Sequence, residues 1–252
     1  MMLCDHYYAL DFDGVICDSA IETGISGWKA AVSLWPDLPA QMPEHILSMF
    51  RQVRPAMETG YEAILICRAL YNGTPVEQLL EFFADTMQQM LSESDCDITQ
   101  LKTVFAAIRD HWISDDFDGW LANNPLYPGI KELLLSIPQQ QLFIVTTKQE
   151  RFVSAILSAN GITLDDRHIF GLEKQLRKPL ILQQLQAFCQ PKPLIFVEDR
   201  VNTLYEVIED GTLNTVQLGL AVWGYNTPKD RQMAQQHCRV RILAKPEDII
   251  LS

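Results

Sequence analysis

The chain has 252 residues, of which 48% are hydrophobic and 21% charged, and its formal net charge is −12 at pH 7. This composition is typical of a soluble globular protein, and the length suffices for a large domain that carries a second one. The acidic balance argues against nucleic acid or a membrane surface as a partner, since both attract proteins with a basic face. A small anionic substrate remains compatible with it, because a local lysine or metal ion can override the overall charge.

The sequence also indicates a compartment. No apolar run reaches membrane-spanning length, and the N-terminus lacks the basic and then apolar segments of a signal peptide. The six cysteines form no CxxC pair and show no zinc-ligand spacing. We therefore expect a cytoplasmic protein with reduced thiols, present as a monomer or a homodimer.

The first half of the chain is predicted to be one short strand followed by helices. The apolar stretch 7–10 ends directly in Asp11 and Asp13. From residue 19 the apolar residues follow helical spacing, which predicts five helices at about 19–34, 42–53, 58–70, 74–91 and 98–112. A capping box formed by Thr74 and Glu77 should begin the fourth helix. No strand pattern interrupts this block, which predicts a helical bundle.

The second half alternates between strand and helix after a turn-rich linker at 123–129. Strands are predicted at 142–145, 168–170, 193–197, 215–218 and 240–243, and helices at 130–136, 150–160, 178–188 and 203–210. Apolar strands that alternate with helices predict an α/β fold, with a doubly wound parallel sheet covered on both faces.

Polar side chains follow three of the predicted strands. Asp11 and Asp13 follow the first, Thr146 follows the second, and Glu198 with Asp199 follows the strand at 193–197. The carboxyl ends of parallel strands meet at one edge of the sheet, where ligands bind. Taken alone, the two aspartates before Gly14 could equally form a turn that ends a strand. The three strand ends together favour a site that holds a hard cation and an anion.

Four ordered motifs carry a family resemblance: Asp11-Phe12-Asp13-Gly14-Val15, Thr146, Lys178-Pro179 and Glu198-Asp199. With them the chain resembles the haloacid dehalogenase (HAD) superfamily, in its phosphatase-like branch with a helical cap, which includes phosphoglycolate phosphatases and β-phosphoglucomutases. Tyr127-Pro128-Gly129 and Trp223-Gly224-Tyr225 also resemble that branch. The resemblance implies a Rossmann-like core of residues 1–18 and 123–252, with a helical cap of residues 19–122 inserted.

The resemblance also implies an activity. A Mg²⁺-dependent phosphatase would hydrolyse a small-molecule phosphate ester through a phosphoryl group on Asp11. Asp13 would act as general acid and then as general base. Thr146 would hydrogen-bond a phosphoryl oxygen, and Lys178 would neutralise negative charge. The backbone around Phe12, Asp13 and Gly14 would complete the anion cradle.

The implied ligands of Mg²⁺ are oxygen atoms, as this ion prefers. They are the Asp11 carboxylate, the Asp13 backbone carbonyl and Asp199, with Glu198 as a further candidate. Each assignment has an alternative. Thr146 could simply end a strand, Asp199 could favour a helix N-terminus, and Arg177 or Lys174 could take the role of Lys178.

The chain departs from the family pattern at the last motif. Glu198 stands where many members have glycine, and Thr203 stands where a second aspartate is usual. Glu198 could replace the lost carboxylate, directly or through a water, and Asn202 is a weaker candidate. Thr147, a candidate substrate contact, stands where asparagine is common. These departures make a HAD-fold binding or regulatory protein with weakened catalysis one alternative. A phosphomutase, which uses the same chemistry within the family, is another.

The cap should set substrate choice, by resemblance. Arg51, Arg54 and Arg68 are candidates to contact a second anionic group of the substrate. The alternative for each arginine is an ordinary solvated position on a helix.

Overall fold

The computed structural model describes residues 6–250 and divides into two compact units. One unit combines the described residues up to Asp18 with those from Leu126 onward, and the other is Ser19–Pro125. Among the described helices none combines the length and hydrophobicity that a bilayer crossing requires. The five cysteines of this part of the chain are free thiols, and Cys4 lies outside the described residues.

The unit Ser19–Pro125 is helical, as its apolar spacing predicts. Its helices are α1 (Ala20–Leu34), α2 (Glu44–Val53), α3 (Glu62–Tyr71), α4 (Val76–Glu81), α5 (Phe83–Glu93), α6 (Ile98–Asp115) and α7 (Phe117–Ala122). Large buried side chains on α1, α2 and α3 form its core, among them Trp28, Phe50 and Ile64. Its role as a cap stays a prediction.

The helical prediction is wrong in three details, the first of which is α7, a helix that it lacks. The single helix expected at 74–91 is two helices, because Phe82 leaves the helical conformation with φ −123° and ψ 41°. The Thr74 capping box is absent, since Pro75 occupies the N-cap of α4 and no side chain bonds there. Proline has no side-chain oxygen to accept a hydrogen bond from the first turn, so the helix begins without a side-chain cap.

The other unit contains a six-stranded parallel sheet in the order β3-β2-β1-β4-β5-β6. Its strands are β1 (Tyr7–Leu10), β2 (Leu142–Val145), β3 (Ile169–Phe170), β4 (Leu194–Glu198), β5 (Gln217–Ala221) and β6 (Val240–Leu243). Residues of both faces are buried along β1, β2 and β4, which explains their continuous apolar sequences. The predicted α/β fold with a parallel, Rossmann-like sheet is confirmed.

Five helices flank this sheet: α8 (Ile130–Ser136), α9 (Glu150–Ala159), α10 (Lys178–Cys189), α11 (Val201–Glu209) and α12 (Pro228–Gln235). Helix α12 escapes prediction from hydrophobic spacing because Ala234 is its one buried residue. Its start does carry a signal, since Thr227 and Asp230 form a capping box around Pro228.

Strand β5 also differs from its prediction, because it continues through Gly219 to Ala221. A Cβ atom at Gly219 would lie 2.6 Å from Leu243 Cδ1, so the glycine allows β6 to pack closely against β5.

The register of the sheet sets the position of the motifs. Leu10 at the end of β1 pairs with Ile144 of β2 and with Val197 of β4. The residues that follow these strands therefore emerge at the same edge. Strand β1 is also where the direction of the chain across the sheet reverses, with β2 and β3 on one side and β4, β5 and β6 on the other. Such a reversal point is the usual ligand position in open α/β sheets.

Candidate active site

The ammonium group of Lys178 connects two strand ends. Lys178 is the first residue of α10, and its Nζ lies 2.9 Å from Asp11 Oδ1 and 2.7 Å from Glu198 Oε2. The alternative cations pair elsewhere, Arg177 with Glu206 at 3.0 Å and Lys174 with Glu150 at 3.2 Å. Burial alone would lower the pKa of Lys178, but Asp11 and Glu198 raise it above its usual range. Lys178 is therefore a fixed positive charge beside Asp11.

Glu198 is completely buried and uses both of its carboxylate oxygens. Besides the Lys178 contact of Oε2, its Oε1 accepts hydrogen bonds from the backbone N–H groups of Asp199 (3.1 Å) and Arg200 (3.2 Å). Burial opposes ionisation of this group, yet the charge of Lys178 and hydrogen bonds with the side chains of Lys178, Asp199 and Asp11 lower the pKa of Glu198. The residue that replaces glycine in the family pattern is thus an ionised anchor for Lys178.

Asp199 is held by the loop that follows β5. Its Oδ2 accepts a hydrogen bond of 2.6 Å from the backbone N–H of Tyr225, and its carbonyl accepts one of 3.2 Å from Asn226 Nδ2. A side chain at Gly14 would overlap the Asp199 carboxylate, and Gly14 also has a φ of +88° that favours glycine. The turn at Gly14 therefore lies directly against this carboxylate.

The same loop also fixes the segment after Gly14. Trp223 Nε1 donates to the Val15 carbonyl at 3.0 Å, and the Tyr225 hydroxyl donates to Asp18 Oδ1 at 2.9 Å. The sequence singled out Trp223-Gly224-Tyr225 only as part of a resemblance. Its contacts show a local role, because the loop ties the β1 turn to the end of β4.

Three carboxylates form a group that could hold a metal ion. Asp11, Glu198 and Asp199 each offer an oxygen, and these oxygens all lie within 4.8 Å of one another. Burial, followed by the charge of Glu198, raises the pKa of Asp11 to about 7. Burial and the charges of Glu198 and Asp11 raise the pKa of Asp199 well above its usual range. A further cation beside Lys178 would therefore favour the ionised forms of Asp11 and Asp199.

The carboxylate of Asp13 does not belong to this group. It instead accepts two contacts from Lys148 Nζ, at 3.0 Å to Oδ1 and 3.4 Å to Oδ2. Phe12, between the two aspartates, is fully buried, and its backbone N–H donates to Asp11 Oδ1 at 2.8 Å. The two aspartates therefore have different partners, Lys178 for Asp11 and Lys148 for Asp13. Lys148 is a site residue that the sequence analysis missed.

The remaining predicted residues are placed as follows. Thr146 is buried at the end of β2, and its Oγ1 accepts a hydrogen bond of 3.2 Å from the Lys148 backbone N–H. Thr147 is exposed. Arg51 and Arg54 lie in the helical unit, so their predicted substrate contacts stay predictions. Arg68 of that unit forms an ion pair of 2.7 Å with Asp37.

Comparisons with known proteins identify the fold. No protein-family model matches the sequence, and the curated proteins contain no match to it. A predicted phosphoglycolate phosphatase from Haemophilus somnus 129PT is 20% identical, with a TM-score of 0.64, and the match covers 100% of this chain and 99% of that one. A predicted phosphatase from Clostridium acetobutylicum is 15% identical, with a TM-score of 0.54, over 98% of this chain and 97% of that one.

A conserved haloacid dehalogenase-like protein from Agrobacterium tumefaciens str. C58 is 14% identical, with a TM-score of 0.54, over 97% of this chain and 95% of that one. At such identities the likeness establishes the architecture. The chain therefore has the fold of the haloacid dehalogenase-like proteins.

Proposed function

We propose that the protein is a Mg²⁺-dependent phosphatase that hydrolyses a small phosphorylated metabolite through a phosphoryl group carried on Asp11. The observation that carries this proposal is that Asp11 and Asp13, at the same edge of the sheet, contact different groups. Asp11 contacts Lys178 and clusters with the carboxylates of Glu198 and Asp199, whereas Asp13 contacts a separate lysine. A covalent route needs such a pair, with one carboxylate as nucleophile and another as proton carrier.

The residues fit a divalent cation. With all four carboxylates ionised (Asp11, Asp13, Glu198 and Asp199), two ammonium groups (Lys148 and Lys178) would leave two negative charges at the site for a divalent cation to balance. The carboxylate oxygens are ligands of the kind that Mg²⁺ prefers. We propose that Asp11 and Asp199 hold the ion together with the Asp13 carbonyl, and that Glu198 supplies the third carboxylate. When bound, the ion would screen the nucleophile from the phosphate and stabilise negative charge.

The protein's own groups would carry out two steps. In the first, an Asp11 oxygen bonds to phosphorus, the ester P–O bond breaks, and Asp13 gives its proton to the leaving oxygen. In the second, a water oxygen bonds to phosphorus while Asp13 takes the water's proton, and the bond between Asp11 and phosphorus breaks. Lys178 would balance the charge of Asp11 and the phosphoryl group, and Thr146 would donate a hydrogen bond to a phosphoryl oxygen.

The structural neighbours suggest the first substrate to try. One of them is named as a predicted phosphoglycolate phosphatase, and another as a predicted phosphatase. Phosphoglycolate, sugar phosphates and a generic aryl phosphate should therefore be assayed with Mg²⁺ and with a chelator. Turnover that requires Mg²⁺ is the expected result. Turnover that persists in chelator would refute the proposed metal dependence, and the absence of turnover across the panel would favour a binding protein.

Replacement of Glu198 by glutamine tests its place in the metal site. We expect the Mg²⁺ concentration for half-maximal activity to rise at least about tenfold, a loss of about 1.4 kcal/mol in binding. The amide removes a negative charge, and its NH2 group must face either Lys178 or the backbone N–H groups of Asp199 and Arg200, none of which accepts a hydrogen bond. A Mg²⁺ titration of activity would measure the change.

Glu173→Gln is the matched control, since Glu173 is an exposed glutamate of the same unit. It should leave the titration unchanged. An unchanged Mg²⁺ requirement in Glu198→Gln would argue that Glu198 serves only to anchor Lys178.

Mg²⁺ should stabilise the fold more at pH 8 than at pH 5.5. The pKa of Asp11 is about 7 in the folded protein against 3.8 ordinarily, so the folded state binds this proton more tightly. Without a cation, stability from this group is therefore lost as pH rises from about 4 to about 7. Above pH 7 Asp11 holds no proton that Mg²⁺ must displace, whereas at pH 5.5 the ion competes with that proton.

Thermal unfolding at both pH values checks this expectation. A cation at a hundredfold excess over its Kd adds about 2.7 kcal/mol, which corresponds to an increase in Tm of roughly 5–10 °C. NaCl at matched ionic strength is the control. Equal increases at the two pH values would contradict a site built on these aspartates.

A further inference from the structure

A buried lysine outside the metal-binding group lies against Asp13. The Lys148 side chain is 4% exposed, and its Nζ contacts both oxygens of the Asp13 carboxylate. Asp13 itself is 22% exposed in its side chain, so the pair has one buried and one more open end. A buried ammonium group is costly unless a carboxylate compensates it, which ties the positions of the two side chains together.

The backbone of Lys148 is fixed independently of that ion pair. Its N–H donates to Thr146 Oγ1 at 3.2 Å, and its carbonyl accepts from the Leu172 N–H at 3.0 Å. These bonds anchor Lys148 just after the end of β2, the strand beside β1. The backbone of Lys148 is therefore held in place, and its side chain extends from there to Asp13.

We propose that Lys148 is a positioning residue for the acid–base carboxylate of the reaction. It would hold Asp13 on the side where the ester oxygen leaves, apart from the group of Asp11, Glu198 and Asp199. The inference rests on the proposed phosphatase function and assigns a role that this function leaves open.

The proposal makes a prediction about leaving groups. In the first step the Asp13 proton moves to the leaving oxygen as the P–O bond breaks and the bond from Asp11 to phosphorus forms. A nitrophenolate leaves without that proton, whereas the oxygen of phenol or of an alcohol needs it. A misplaced Asp13 should therefore impair the hydrolysis of esters with poor leaving groups and spare those with good ones.

The experiment is a series of aryl phosphates from dinitrophenyl to phenyl phosphate, assayed as kcat/KM with Mg²⁺. This ratio reports steps up to transfer of the phosphoryl group to Asp11, so the later hydrolysis does not obscure it. For Lys148→Met we expect a loss of about 10²-fold with phenyl phosphate and less than about threefold with dinitrophenyl phosphate. Lys148→Gln, which keeps a hydrogen-bond donor without the charge, should give a smaller loss of the same pattern.

A double-mutant cycle with Asp13→Asn tests whether Lys148 acts through Asp13. The double variant should be no slower than Asp13→Asn alone, because the group that Lys148 positions is already gone. Lys174→Met is the control, since it removes an ion-paired lysine that contacts Glu150. It should leave the whole series unchanged.

Three results would overturn the inference while the parent protein stays active. The first is an equal loss of kcat/KM across the series, which would indicate that Lys148 binds the phosphoryl group. The second is a further loss of kcat/KM in the double variant, and the third is no loss in either Lys148 variant. A parent protein without Mg²⁺-dependent turnover would overturn the proposed function and this inference together. Circular dichroism of each variant shows that the comparison is made between folded proteins.

Discussion

Replacement of Asp11 by asparagine should reduce Mg²⁺-dependent phosphate-ester hydrolysis by at least about 10⁴-fold, the scale of loss when a nucleophile is removed. The amide has nearly the same shape but cannot bond to phosphorus as a carboxylate does. Folding should survive, because the substitution removes one of three clustered carboxylates and leaves Lys178 paired with Glu198. Steady-state hydrolysis and circular dichroism of the purified variant measure both expectations.

Asp166→Asn supplies the control, since Asp166 is an exposed aspartate of the same unit. It should keep full activity. Retention of most activity by Asp11→Asn would show that another group attacks the phosphate, and the assignment of the nucleophile would be wrong.

Replacement of Lys178 by methionine should impair both stability and turnover. Glu198 is completely buried and would lose its ammonium partner, which typically costs about 3–5 kcal/mol. Turnover should fall by about 10²–10³-fold, because a fixed positive charge beside the nucleophile is lost. Urea unfolding and kcat under saturating Mg²⁺ measure the two effects.

Arg177→Met is a suitable comparison because it removes the adjacent cation. The Arg177 side chain is 74% exposed and pairs with Glu206 at the surface, so its loss should change stability by less than about 1 kcal/mol. Equal behaviour of the two variants would mean that Lys178 is an ordinary surface lysine in function, against the geometry described above.

Most of the site could be predicted because its residues stand at local boundaries in the sequence. Asp11 directly follows an apolar stretch, Asp199 follows another after Glu198, and a charge at the end of a predicted strand is unexpected enough to indicate chemistry. Lys178 precedes Pro179 at a predicted helix start, and only the family resemblance favours it over Arg177 and Lys174. The sheet register then brings these ends together, as parallel strands require.

Lys148 could not be singled out in the same way. It follows two threonines at a strand end, where a solvated lysine would be ordinary, and its partner Asp13 is 135 residues away. The contact between Glu198 and Lys178 was hidden for a similar reason. The sequence position of Glu198 indicates a carboxylate at a strand end, but its bond to Lys178 depends on how α10 meets β4.

The prediction of secondary structure failed where an element buries few apolar residues or ends without a helix-breaking residue. Helix α12 buries little apolar surface, so no hydrophobic stripe predicts it, although its capping residues do. The break between α4 and α5 follows from the conformation of Phe82, a residue with no breaker signal. Apolar periodicity therefore locates the elements that build a core and says less about those at the surface.

Acid quenching during turnover, followed by peptide mass spectrometry, tests the central claim most directly. A substrate with a good leaving group should let the phosphorylated enzyme accumulate. Lys148→Met or Asp13→Asn should lengthen the lifetime of the phosphorylated enzyme, because Asp13 also activates the water. We predict one added phosphoryl group on the peptide that contains Asp11, with none in Asp11→Asn. A phosphoryl group on another residue, or rapid turnover with no modified peptide in any variant, would contradict the account.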